Sequence, residues 1–177
     1  MALTCLAVLG TPAHAQDAEP VRFERDGLKL ELAALSHDQV RAFFLARGFS
    51  QKDTEHIAVT ACLFRSAIGS AFAEAGAPAV KVALDEWQAM PADGKPSAPK
   101  VREYWENVWK TREVPADAAT AFYWALFPTE QVFAPTDYNW GFLTFGLPPG
   151  TSFNLTVAWT TDDKAYHTTI EGLQCAK

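Results

Sequence analysis

Phe153-Asn154-Leu155-Thr156-Val157-Ala158-Trp159-Thr160 alternates large apolar residues with small or polar ones. A period of two puts Phe153, Leu155, Val157 and Trp159 on one face and leaves the other to water, which is a half-buried β-strand. Downstream, Asp162-Asp163-Lys164 turns the chain into Tyr166, Thr168 and Ile170. Leu173 and Cys175 fall in the opposite phase, so Gly172 predicts a β-bulge that returns them to the core side. Upstream, Trp140 to Leu147 reads as a further strand, closed by Pro148-Pro149-Gly150, whose Pro-Gly pair suits a type II turn. Ala121 to Phe127 reads as another strand, with Pro128 to Asn139 a long polar-aromatic connection.

The N-terminal half carries one equally clear signal. Val21 to Ala34 predicts a hairpin around Asp26-Gly27, the two-residue type I′ signature. Pairing across that turn sets Phe23 against Leu30 and Val21 against Leu32 on one face. The other face then matches Glu24 with Lys29 and Arg22 with Glu31, so apolar and charge patterns agree on one register. Two short helices follow. Ser36 with Gln39 forms a capping box ahead of Val40, Phe43 and Phe44, Gly48 stops the first helix, and Ser50 caps the second. Residues 62–73 fit a strand or a helix by spacing. Strand is favoured, because a continuous helix would run past about 25 residues without a cap. Val80 to Trp87 would be its hairpin partner. Residues 99–112 form an amphipathic helix with Val101, Trp105, Val108 and Trp109 on one side, the spacing of a helix docked on a sheet.

The fold class expected is therefore mainly β, an antiparallel sandwich with an αα pair near 36–61 and one amphipathic helix at 99–112. Residues 16–177 would form one such domain. Leu147-Pro-Pro-Gly-Thr-Ser-Phe153-Asn-Leu155 resembles the turn-plus-strand segment of immunoglobulin-like domains in exported bacterial proteins. The resemblance implies an immunoglobulin-like sandwich and no particular activity.

Met1 to Ala15 carry no formal charge and run through an apolar stretch to Ala13-His14-Ala15. That is the pattern of a signal peptide cleaved after Ala15, and it predicts a periplasmic or secreted protein. Removing Cys5 with the leader leaves Cys62 and Cys175, expected to pair in an oxidising compartment. The formal net charge of −6 argues against nucleic acid as a partner, and no apolar run is long enough to span a bilayer.

Three histidines remain, His37, His56 and His167, none with a metal-binding neighbour at helical or strand spacing. A site assembled from His56, Cys62, His167 and Met90 would suit a soft copper ion. No nucleophile elbow is present. Glu130 and Asp137 could form a glycosidase-like carboxylate pair. Six tryptophans give the strongest functional signal, since exposed aromatics beside acids and amides suit a sugar face or a protein partner. The expected binding residues are Glu130, Asp137, Tyr138 and Trp140, in a non-enzymatic binding or assembly module. No cofactor or metal is expected. A copper-handling protein and a carbohydrate-active hydrolase stand as alternatives.

Overall fold

The computed structural model describes residues 19–92 and 94–177. The leader-like Met1 to Ala15, Cys5 within it and the expected first mature residue Gln16 lie outside them. The described chain starts with a hairpin of β1 (Val21–Arg25) and β2 (Leu28–Ala34). Its register is Val21 with Leu32, Arg22 with Glu31, Phe23 with Leu30 and Glu24 with Lys29, as the sequence pattern requires. Asp26 and Gly27 both take positive φ, 45° and 86°, the type I′ geometry that Asp tolerates and Gly adopts without strain. A Cβ on Gly27 would also run into the Phe72 ring. The Trp159 indole donates to the Asp26 carbonyl at 3.1 Å, tying this turn to a distant strand.

Next come α1 (His37–Leu45) and α2 (Gln51–Thr60). The capping box is complete: Gln39 N–H donates to Ser36 Oγ, and the Ser36 N–H donates to Gln39 Oε1 at 2.9 Å. Ser50 Oγ accepts from the Asp53 N–H at 3.1 Å and starts α2. Residues 62–73 resolve as strand over β3 (Cys62–Ser70), which pairs β2 on one side. Then follow β4 (Val80–Ala83), a single 3-10 turn at Leu84–Glu86, and β5 (Gln88–Pro91). Helices α3 (Arg102–Thr111) and α4 (Ala116–Tyr123) precede β6 (Glu130–Phe133), β7 (Tyr138–Phe145), β8 (Ser152–Thr161) and β9 (Lys164–Gln174).

The strands form two antiparallel sheets. The first has the order β1-β2-β3-β7; the second groups β4, β5, β6 and β9 around β8. β4 and β5 lie end to end along one edge of β8, pairing its Thr160–Thr161 and Phe153–Thr156 stretches. The 3-10 turn interrupts the ladder between them. There the Trp87 indole donates to the Ala158 carbonyl at 2.9 Å, replacing the backbone donor that the interruption removes. The expected bulge is present, since Phe153 faces Leu173 while Leu155 faces Ile170. Two residues thus oppose Asn154, whose Oδ1 accepts from the Gly172 N–H, and both Ile170 and Leu173 point inward.

Two apolar cores result. One lies between the sheets and includes Leu28, Phe64, Trp87, Phe145, Leu155 and Trp159. Here Cys62 and Cys175 are bonded across a separation of 113 residues, joining the first sheet to the end of the second. The other core lies between the helices and half of the outer face of the first sheet, with Phe44, Phe49, Trp109 and Phe122 packed on Leu63. Trp105 stacks on Trp109 with ring centroids 5.1 Å apart and donates to Thr144 Oγ1 on β7 at 2.8 Å. No helix among the described residues is long and apolar enough to cross a membrane.

Three expectations are corrected. Ala121 to Phe127 is no strand: Pro115 precedes α4, which buries Ala118, Ala119 and Phe122 at helical spacing. Beyond it only Leu126 bridges, in parallel, to Phe142. A short apolar run does not distinguish the two states, and alanines favour the helix. The connection at 128–139 contains β6, which pairs β4. Val80 to Trp87 is not the hairpin partner of β3, because β2 and β7 occupy both edges of β3.

Candidate functional site

The helices cover only one end of the first sheet's outer face. Phe142 meets Phe43 of α1 there, at a ring separation of 4.7 Å. Toward the other end the face is open, and the register aligns two rows of side chains across it. One row is Arg22, Glu31, Ala67, Trp140; the next is Glu24, Lys29, Gly69, Tyr138. Leu30, Ile68 and Leu143 point the opposite way into the core, so both rows face outward.

Small residues in the third strand make this surface concave. Ala67 forms a floor, with Lys29 and Glu31 rising on one side and Tyr138 on the other. The resulting groove measures about 540 Å³. Gly69 is required by close approach as well, since a Cβ there would strike the Asp137 carbonyl and lie 2.6 Å from Tyr138 Cβ. Tyr138 and Trp140 are 65 % and 69 % exposed. Lys29 Nζ sits 5.9 Å from the Tyr138 ring centroid, while Glu31 is engaged by Arg22 at 2.9 Å.

Trp140 lines a second groove of about 510 Å³ with Trp124, Tyr123, Asn139, Arg102 and Glu103. Trp124, at the end of α4, is 86 % exposed. The Arg102 guanidinium lies 4.8 Å over the Tyr123 ring. Burial, and then the charge of Glu106, push the Tyr123 hydroxyl above its ordinary pKa, so it stays a neutral donor. Of the six tryptophans, Trp87, Trp105, Trp109 and Trp159 are buried and only Trp124 and Trp140 stand out in solvent.

The four expected binding residues divide. Tyr138 and Trp140 share the outer face of β7. Asp137 holds the corner where the chain leaves the second sheet for the first: its Oδ2 accepts from the Ala134 N–H at 3.2 Å and its carbonyl from the Ser70 N–H at 2.9 Å. Glu130 starts β6 in the second sheet, opposite Ala83. Trp124 was hidden by the strand reading of its segment. On a helix it lies about 200° around from Phe122, which places it away from the buried face.

The residues of the postulated copper site do not converge. Cys62 sulfur is committed to the disulfide, His56 lies in α2, and His167 and Met90 occupy separate rows of the second sheet, opposite Ala158 and Asn154. Among the described residues, no group of three or more His, Cys, Asp and Glu side chains is placed to hold a metal.

Ionisable groups in the helical layer are structural. Arg41 binds Glu55 at 2.7 Å, and Arg112 reaches Asp53 at 2.8 Å. The hydrogen bond from Arg41 holds the Glu55 carboxyl below its ordinary 4.5, against a smaller desolvation effect. Burial, then the charge of Arg112, hold His56 below its ordinary 6.5. Both groups are therefore lowered by folding. Their stabilisation is present above the unfolded values and is lost as pH falls through the folded ones, His56 first and Glu55 further down. Urea midpoints should decline as pH drops below 6.5, and His56→Gln should flatten the upper part of that decline. An unchanged profile in His56→Gln would refute the assignment.

Comparison of the chain with protein-family models, with curated proteins and with solved structures returns no match.

Proposed function

We propose that this chain is a non-enzymatic binding module of an exported protein, and that the outer face of its first sheet takes a carbohydrate. The observation that carries this is the pair Tyr138 and Trp140, side by side and mostly exposed on β7, with Trp124 exposed beyond them. Large exposed aromatics cost solubility and give the fold nothing, since the four buried tryptophans already serve the cores. Flat rings flanked by Asn139, Glu103 and Arg102 suit a ligand with apolar C–H faces and hydroxyl rims. The leader-like Met1 to Ala15 and the Cys62–Cys175 bond support a periplasmic or secreted location. The disulfide between sheets, and the Pro148 to Thr151 turn leading into β8, support the immunoglobulin-like reading.

The test is a fluorescence titration of the full chain with soluble oligosaccharides, in which Trp124 and Trp140 report. Trp140→Ala and Tyr138→Ala should each weaken binding about 30-fold, the scale of an interface hot spot, with thermal midpoints unchanged. Unaltered affinity in both variants would sink the proposal.

A further inference from the structure

From the aromatic row on β7 we infer an uncharged oligosaccharide that continues past Tyr138 and Trp140 into the second groove and stacks on Trp124. The inference rests on the carbohydrate reading above and adds the ligand's length and charge. Tyr138 lines the first groove and Trp140 the second. They stand two residues apart on one face of β7, about 7 Å along the strand, so the grooves adjoin there. Backbone pairing brings Trp124 to the same place. Leu126 bridges Phe142 in parallel: the Phe142 N–H donates to the Ala125 carbonyl at 2.7 Å, and the Phe127 N–H to the Phe142 carbonyl at 3.0 Å. Trp124 and Trp140 each lie two residues before that bridge, one on either chain segment, and both line the groove beside it. Gly141 permits the junction, since a Cβ there would lie 2.6 Å from the Phe127 nitrogen.

Backbone and charge in the second groove suit hydroxyl groups and disfavour anions. Phe142 turns its N–H and carbonyl away from β3 toward residues 125–127, so Trp140, two residues earlier, turns its own the same way. Asn139 Oδ1 accepts from the Trp140 N–H at 2.9 Å, while the Trp140 carbonyl is presented to the groove as an acceptor for a sugar hydroxyl. Arg102 and Glu103 are the two charged residues in the lining. The Arg102 guanidinium is bonded to Glu106 at 2.8 Å and lies over the Tyr123 ring. Two carboxylates thus attend one guanidinium, in a chain whose net charge is already −6, and an acidic sugar meets repulsion there. The first groove is balanced, with Arg22 and Lys29 against Glu24 and Glu31. A carboxylate on the ligand gains nothing in either groove, whereas a neutral chain keeps the full benefit of stacking on three exposed rings.

The experiment is calorimetric titration of the full chain with cello-, manno- and N-acetylglucosamine oligosaccharides, each from dimer to hexamer. In the series that binds, affinity should rise about tenfold from dimer to hexamer. Trp124→Ala should remove that rise while leaving the dimer's affinity and the thermal midpoint intact. The same hexamer oxidised at C6 to its uronate should bind about threefold less tightly at low salt. No rise with length, a rise that survives Trp124→Ala, or an equal loss at every length overturns the extension into the second groove and leaves the Tyr138 and Trp140 proposal standing. Equal or tighter binding of the uronate overturns the uncharged assignment alone. No binding of any oligomer, or Trp140→Ala without effect, overturns the stacking proposal as well. Capture of a proline-rich peptide in place of every oligosaccharide would assign the groove to a protein partner and refute both.

Discussion

Replacing Cys62 and Cys175 together by Ala is expected to lower the unfolding free energy by about 4–5 kcal/mol. The bond closes a chain separation of 113 residues, and the entropy removed from the unfolded ensemble grows with the logarithm of that loop. Its position sharpens the effect. Cys62 opens β3, the strand paired on both edges within the first sheet, and Cys175 follows β9, the last strand of the second. The link therefore fastens the two sheets together at one end of their common core. For a chain of this size about 2–4 °C of thermal midpoint follows each kcal/mol, so the midpoint should fall by about 10–20 °C. The denaturant slope should rise, because an uncrosslinked chain exposes more surface when unfolded. Denaturant titration of the oxidised protein beside the double variant measures both. A loss below about 1 kcal/mol would mean that the sheets cohere without the link.

Trp105→Ala carries the second large expected effect, about 3–5 kcal/mol. Its ring is buried against Trp109 and Phe122, and its indole N–H is the donor for Thr144 Oγ1 on β7. That one side chain joins the helical layer to the first sheet by packing and by a buried hydrogen bond. Truncation leaves a cavity, removes the stacked partner and deprives a buried acceptor of its donor. Trp124→Ala is the matched comparison, being the same chemical change at a position facing solvent, and it should stay within about 0.5 kcal/mol of the parent. Chemical denaturation of the two variants reads the contrast. Equal destabilisation would contradict the division of the tryptophans into packed and presented sets on which the binding proposal depends.

The first hairpin was fully legible because two independent patterns, apolar and charged, demanded one register around Asp26-Gly27. The Ser36 capping box and the β8 alternation were legible for the same reason: the signal lies within a few residues. The segment at 121–127 was not, since an apolar run of that length satisfies either period and only its packing against Trp105 and Trp109 selects the helix. Half of the candidate site could be read from residue type, through Tyr138 and Trp140. Trp124 could not, because its exposure is a property of the assembled surface. Asp137 shows the converse: an acid in an aromatic segment reads as a ligand-binding group, whereas its carboxylate and carbonyl are spent on the chain's own corner.

By itself, then, the sequence determined the local geometry: which stretches alternate, where helices are capped and where turns need positive φ. Those features depend on covalent geometry and on neighbours within one turn or one hairpin. The tertiary structure alone decided which sheet β4 and β6 joined, which tryptophans were buried, and that the outer face of the first sheet is covered at one end and open at the other. Such outcomes depend on competition among distant surfaces for the same apolar partners, and no window of sequence contains all the competitors.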